Sequence, residues 1–233
     1  MQRTKGIHLS NVIDFIEATD AGRDFIGSTP LSDTGKSFAA NGFIWEYLQN
    51  KLTQLSPTEL WEWLFTRAMI EPVNPNVVRP GEQCLDAGPC PNCKEGWRNK
   101  QVCQTCDGTG RLLVYMTPDG LYIDSEGTTD LLEEWKWTTK SCRGMSPSYE
   151  PVEASADSPI RGPKFKRWIR WQIPCYLKAL GLNTCKLGIC FARGDYSSGE
   201  PYWYSVILTY SEQEIDETWD CIASNARRMV EVV

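Results

Sequence analysis

Residues 117–138 read Thr117-Pro118-Asp119-Gly120-Leu121-Tyr122-Ile123-Asp124-Ser125-Glu126-Gly127-Thr128-Thr129-Asp130-Leu131-Leu132-Glu133-Glu134-Trp135-Lys136-Trp137-Thr138. Pro118-Asp119-Gly120 and Ser125-Glu126-Gly127 are turn signals, and the apolar runs between and after them read as short strands, Leu121 to Ile123 and Leu131 to Thr138. With Leu112 to Met116 in front, the pattern predicts an antiparallel meander. Alternate side chains of a strand share a face, so Glu134 and Lys136 project together with Leu132 and Thr138. Asp119 stands at the preceding bend, where a short hairpin can return it to the Glu134 end of the strand. Two carboxylates can then share one divalent ion, with an amine beside them.

Phosphodiester hydrolysis calls for this set of groups. Hard oxygen ligands hold Mg²⁺ or Mn²⁺, the ion neutralises developing charge and lowers the pKa of a water, and Lys136 orients that water or stabilises the transition state. The plainer alternative is that Asp119 makes a turn and Glu134 with Lys136 is a surface ion pair.

Working outward, the first 70 residues read as helical, with apolar residues at three- and four-residue spacing in Asn11 to Thr19, Ser37 to Leu52 and Leu60 to Ile70. Ser56-Pro57-Thr58-Glu59 supplies a cap, a first-turn proline and a capping-box acid for the last of these. Pro72, Pro75 and Pro80 end the helical region. Downstream of the meander, Met145 to Pro163 reads as a polar connection with no periodicity. A basic amphipathic helix is predicted from Lys164 to Leu180, closed by Gly181 and kinked by Pro174. Strands at Cys185 to Phe191 and Tyr202 to Tyr210 follow. A final helix starts at the capping box Ser211 to Glu214 and runs to about Val230.

The chain has 233 residues, 41% of them hydrophobic, enough for one substantial core. A single domain over residues 1–233 is expected, with residues 84–110 as an insertion. No run reaches a membrane span and Met1 to Leu9 lacks the apolar core of a secretory signal, so no membrane partner and a cytoplasmic address are expected, host cytoplasm if the gene is phage-borne. A net charge of −6 argues against a protein that coats nucleic acid through overall positive charge, so basic residues must be concentrated locally.

The pairing of Thr117-Pro118-Asp119-Gly120 with Leu132-Glu133-Glu134-Trp135-Lys136 resembles the signature of the PD-(D/E)XK nuclease superfamily. Gln172-Ile173-Pro174-Cys175-Tyr176-Leu177-Lys178-Ala179-Leu180-Gly181 is similar to the glutamine-bearing helix that follows this signature in the RecB-like and lambda-exonuclease-like branches. Gly42-Phe43-Ile44-Trp45-Glu46 loosely matches the Gly-x-x-x-Glu of their first core helix; Trp45 stands where RecB-like relatives usually have histidine. The resemblance implies an α/β (α+β) fold with a central mixed β-sheet flanked by helices, the restriction-endonuclease-like core. It implies metal ligation by Asp119, Glu134, the Trp135 carbonyl and Glu46, with Lys136 as catalytic lysine, Gln172 supporting Lys136 or the water, and Tyr176 facing the same cleft. Asp130 and Glu133 are rival acids, although Glu133 points to the strand face opposite Lys136.

Between Arg161 and Lys178 the basic residues Arg161, Lys164, Lys166, Arg167, Arg170 and Lys178 occur without an acid, interleaved with Trp168 and Trp171. The functional reading assigns Lys164, Lys166, Arg167 and Arg170, with Tyr176, to DNA contact; the plainer reading makes the tryptophans core and the charges a solvated face.

Cys90-Pro91-Asn92-Cys93 and Cys103-Gln104-Thr105-Cys106 are two CxxC knuckles with nine residues between them, spacing that lets Cys90, Cys93, Cys103 and Cys106 share one tetrahedral Zn²⁺. Four thiolates leave no open position, so the ion is structural. The unit Cys103 to Gly110 resembles the CxxCxGxG repeat of the DnaJ zinc domain, which implies knuckle geometry and not chaperone function. Lys94, Trp97, Arg98 and Lys100 would be the contacts if this island touches DNA or a partner. Some RecB-like nucleases hold an iron–sulfur cluster through one early and three late cysteines. Cys185 and Cys190 lack that close pairing, so Cys84, Cys142, Cys175, Cys185, Cys190 and Cys221 read as buried free thiols. His8, the only histidine, reads as structural.

These features predict a metal-dependent deoxyribonuclease acting on DNA, with an exonuclease of phage or bacterial recombination, replication or repair implied by resemblance. The alternatives are an endonuclease of the same superfamily and a non-catalytic zinc-containing nucleic-acid-binding or adaptor protein. A recombination or single-strand-binding partner protein and a homo-oligomer are further expectations from the processive relatives.

Overall fold

The computed structural model describes residues 7–23, 25, 76–138, 140–145, 148–155, 157–191 and 202–232. The helices expected at Ser37 to Leu52 and Leu60 to Ile70, and with them Glu46, lie outside the described residues.

The chain enters through β1 (Ile7–His8) and α1 (Leu9–Asp20), whose buried Leu9, Val12, Ile13, Phe15 and Ile16 form one apolar stripe. His8 takes the N-cap position of that helix and its ring lies 6.1 Å from that of Tyr115. After β2 (Val77–Val78), β3 (Gln83–Pro89) leads into the small β4 (Trp97–Arg98) and β5 (Gln101–Val102), and β6 (Arg111–Met116) returns beside β3. The signature region is the hairpin β7 (Gly120–Ile123) and β8 (Thr129–Thr138). Then follow β9 (Ser148–Glu153), two short 3-10 turns, a π-helical turn over Arg167–Gln172, α2 (Ile173–Leu180), β10 (Thr184–Phe191), β11 (Tyr202–Thr209) and α3 (Glu212–Val232).

The fold is mixed α+β, with a large mixed sheet flanked by helices. That sheet has six strands in the order β2-β7-β8-β10-β11-β9. β10 runs parallel to β8, with the helical segment between them as the crossover, and antiparallel to β11. Its central position explains its composition: Cys185 and Leu187 to Phe191 are all buried, a continuous run where a half-exposed strand would alternate. The second sheet has three strands in the order β1-β6-β3. Ile173, Cys175 and Leu177 of α2 are fully buried, and α3 adds Ile215, Trp219, Ile222, Ala223, Ala226 and Met229 at helical spacing to one core.

Four expectations change. β6 is not part of a meander: it leaves the signature hairpin and pairs with β1 and β3. The cysteine island therefore does not begin at Cys84. Residues 83–89 are strand, so the module sits at the tip of a β3–β6 hairpin. The connection after Met145 contains β9, an edge strand parallel to β11; Pro151 hid it, and an edge position tolerates proline because one side of the strand needs no donor. Finally, the basic segment is not one α-helix from Lys164: Pro163–Phe165 is a 3-10 turn and the α-helix proper begins at Ile173, beside Pro174. The preceding residues widen into the π-helical turn and α2 continues to Gly181, whose φ of 69° is the left-handed conformation expected of a helix-ending glycine. Among the described residues no helix is long and apolar enough to cross a membrane.

The Ser211 capping box forms as expected. Glu214 N donates to Ser211 Oγ at 3.2 Å, and Ser211 N donates to Glu214 Oε2 at 2.8 Å. Those Ser211 hydrogen bonds hold the Glu214 carboxyl below its ordinary value. Its contribution to stability is therefore present above the unfolded-state value and is lost as pH falls through the lowered one. Ser211→Ala is expected to cost about 1 kcal/mol in urea denaturation at neutral pH, with the deficit shrinking in acid.

Candidate active site and cysteine module

Gly120 pairs with Glu133 across the β7–β8 hairpin, which puts Asp119 opposite Glu134. A Cβ on Gly120 would lie 2.7 Å from Val77 Cγ1, so the close approach of β2 requires glycine at the start of β7. Asp119 N then donates to Glu134 Oε1 at 3.1 Å, and Trp135 N donates to Asp119 Oδ2 at 2.9 Å. The Asp119 side chain thus replaces the missing strand partner just before β7 begins. The N–H and C=O of one strand residue face the same edge, so the Trp135 carbonyl is directed to the Asp119 side.

Lys136 completes the group. Its ammonium lies 3.3 Å from Asp119 Oδ2 and contacts Glu134 Oε2 directly. The Glu134 side chain is completely buried, while Lys136 and Asp119 keep 12% and 16% exposure. Burial, then repulsion from Asp119, pushes the Glu134 carboxyl well above its ordinary range, against the opposing pull of Lys136. Burial lowers the Lys136 ammonium, but the two carboxylates outweigh it and keep it charged well above neutrality. Two acids against one base leave the site short of positive charge.

Tyr176 closes the other side from α2. It is 6% exposed and its phenol is pushed up first by burial and then by the Glu134 charge. Gln172 Nε2 donates to Tyr176 Oη at 2.7 Å, so Gln172 bears on the site through Tyr176. This burial takes Tyr176 out of the set of surface DNA contacts. Glu133 lies on the opposite face and is held at 3.0 Å by Lys186, a partner that the period-two register of neighbouring strands could have flagged. Asp130 is exposed at the far end of β8.

The basic segment is largely occupied by the protein's own groups. Lys166 pairs with Asp20 at 3.2 Å, and Arg167 with Asp14 and Glu17 at 2.7 and 3.0 Å, all on α1. Lys164 donates to the Ser141 carbonyl, and the exposed Arg170 lies 4.8 Å above the Trp171 ring. Trp171 is buried and Trp168 packs against the core. The plainer reading of this helix therefore holds for both tryptophans, and Lys166 and Arg167 dock α1. The spacing of the cations carried no sign of acids 150 residues away.

Sulfur atoms of Cys90, Cys93, Cys103 and Cys106 all lie within 4.8 Å of one another, so the four thiols could hold a metal ion such as zinc. Among the described residues this is the one set of three or more His, Cys, Asp or Glu side chains so gathered; of the remaining thiols Cys142, Cys175, Cys185 and Cys190 are buried as expected, whereas Cys84 is exposed, because it lies on an exposed face of β3. The two knuckles are locked reciprocally: Cys90 N donates to Gly110 O at 2.9 Å and Cys103 N to Gly96 O at 2.8 Å. Backbone N–H groups point at the sulfurs, as thiolates require. Burial raises the Cys103 thiol, but the N–H groups of Cys106 and Thr105 outweigh it and bring it down to about 6. Cys90 goes the other way, pushed up to about 12 by burial, because the first thiolate disfavours a second until a cation joins them. The module docks on the end of α3 through Asn92, which donates to Val230 O at 2.9 Å, a contact with no signal in the sequence.

No family model and no curated protein matches the chain. A solved structure described as the crystal structure of SSO0001 aligns over 98% of this chain and 78% of its own, with 9% identity and a TM-score of 0.41, a likeness too slight to bear on function.

Gly96 gives a direct test of the module. It has a φ of 89°, and a Cβ there would stand 2.0 Å from the Gly108 carbonyl oxygen. Gly96→Ala is expected to abolish stoichiometric metal retention, measured by elemental analysis after dialysis, whereas Gly127→Ala, in an open turn, leaves it unchanged.

Proposed function

We propose that the protein is a metal-dependent deoxyribonuclease that hydrolyses phosphodiester bonds at the Asp119–Glu134–Lys136 site. The observation that carries this reading is the convergence of both carboxylates and the Lys136 ammonium within hydrogen-bonding distance on one strand edge. A surface ion pair would not bury Glu134 completely. The order of elements around the site, with the signature hairpin, the Gln172 helix and the parallel β10, agrees with the PD-(D/E)XK resemblance.

The donor set fits a divalent ion of the Mg²⁺ or Mn²⁺ type. Carboxylate oxygens of Asp119 and Glu134 and the Trp135 carbonyl are hard ligands, and such an ion would favour the ionised form of Glu134 that burial and Asp119 disfavour. When bound it supplies Lewis-acid stabilisation and an acidified water. The chain's own part is to hold the reacting groups. Asp119 is fixed by its bond from Trp135 N, Lys136 is kept protonated beside both acids to balance charge on the phosphate, and Tyr176 with Gln172 shields one wall of the site. Glu46, outside the described residues, is the remaining acid of this proposal.

Zn²⁺ is assigned to the four-cysteine module as a structural ion, since four thiolates leave no position for water. Exonuclease action in phage or bacterial recombination, replication or repair is the form of the proposal that the resemblance favours. Digestion of linear but not covalently closed circular DNA distinguishes it from endonuclease action.

Glu134→Ala and Lys136→Ala are each expected to lower Mg²⁺- or Mn²⁺-dependent DNA cleavage by at least on the order of 10²- to 10³-fold, with zinc content retained. Full activity in both variants overturns the assignment. So does a wild-type protein that binds DNA and never cleaves it, the behaviour of an adaptor.

A further inference from the structure

Between the two knuckles the chain makes the β4–β5 hairpin. Its antiparallel register pairs Trp97 with Val102 and Arg98 with Gln101, so Trp97 and Val102 share one face. That face is open: Trp97 is 58% exposed and Val102 50%, although most of the large apolar side chains among the described residues are buried. A tryptophan left in water on a metal-stapled hairpin contributes little to the core it stands outside.

The charge on this hairpin differs from the rest of the chain. Residues 97–102 contain Arg98 and Lys100 and no acid, Lys94 and Glu95 stand just before them, and the whole chain carries −6. All three cations are exposed and, among the described residues, none is in an ion pair, in contrast to Lys166 and Arg167. The turn points the same way. Asn99 and Lys100 have φ of 52° and 63°, the geometry of a tight hairpin turn whose second position favours glycine. Lysine in that conformation is strained, and what it adds over glycine is an ammonium at the tip.

We propose that the Trp97 hairpin is a platform for single-stranded nucleic acid, on which an unpaired base stacks on the indole while backbone phosphates meet Arg98 and Lys100. Complementary charge and an accessible aromatic face are the two features that sequence-tolerant strand binding uses. The assignment rests on the nucleic-acid part of the function proposed above and not on cleavage. A strand held here would be presented by a module fixed to α3 through Asn92.

The test is fluorescence anisotropy of a labelled oligothymidylate with the full-length, zinc-retaining protein, without Mg²⁺, Mn²⁺ or chelator. Trp97→Ala is expected to weaken binding on the order of 5- to 100-fold and Trp97→Phe to restore most of it, with thiolate-bound metal unchanged in both. Lys100→Gly, which relieves the strained turn, is expected to weaken binding and to reduce the salt slope by about 1. Equal affinity for oligothymidylate in wild type, Trp97→Ala and Trp97→Phe overturns the proposal, as does a loss confined to blunt duplex of the same length. Because the assay needs no cleavage, failure of Glu134→Ala to abolish nuclease activity leaves this result standing, and the converse holds equally.

Discussion

One hydrogen-bond register, Gly120 opposite Glu133, governs where each acid of the site stands. It sets Asp119 across from Glu134 just before β7 begins, and the Trp135 N–H left without a strand partner is taken by the Asp119 carboxylate. The same strand, on its other edge, is held for seven residues by β10, from Cys185 opposite Leu132 to Phe191 opposite Thr138. A slip by one residue would send Glu134 and Lys136 to the face where Glu133 and Lys186 now meet. The central strand β10 and the tight approach of Val77 to Gly120 resist that slip, so packing far from the carboxylates determines their geometry.

The arrangement is poor for stability. A fully buried carboxylate facing a second one is unfavourable even with an ammonium between them, since removing ions from water costs several kcal/mol apiece and one lysine balances only one charge. A buried acid beside a second one breaks a local rule of folding, and such breaks are where functional sites are expected. By contrast, the other polar pair of β8, Glu133 with Lys186, is one charge against one and carries no surplus.

How much of this was legible in the sequence follows from the range of the interactions. The β7–β8 turn, the Ser211 cap, the Gly181 helix end and the thiol spacing are local, and each was readable because the residues that decide it lie within a few positions of one another. Asp119, Glu134 and Lys136 could be named from period-two alternation and a turn. Long-range partners left no such trace: the docking of Arg167 on Asp14 and Glu17, the anchoring of Asn92 on Val230, and the departure of β6 into a second sheet depend on tertiary packing. β9 was hidden for a different reason, because main-chain pairing at a sheet edge makes few demands on side chains and even admits Pro151.

The cysteine module and the acid site are each placed by a hairpin, the thiols at the tip of β3–β6 and the acids by β7–β8. What joins them to a common function is the claim that the acid pair exists to hold a divalent ion. Thermal unfolding with and without Mn²⁺, on the wild type and on Glu134→Gln, tests it most directly. The account predicts that Mn²⁺ raises the wild-type midpoint and leaves the Glu134→Gln midpoint where it was, since a ligand stabilises only the fold that binds it. The same Mn²⁺ response in both proteins would contradict it.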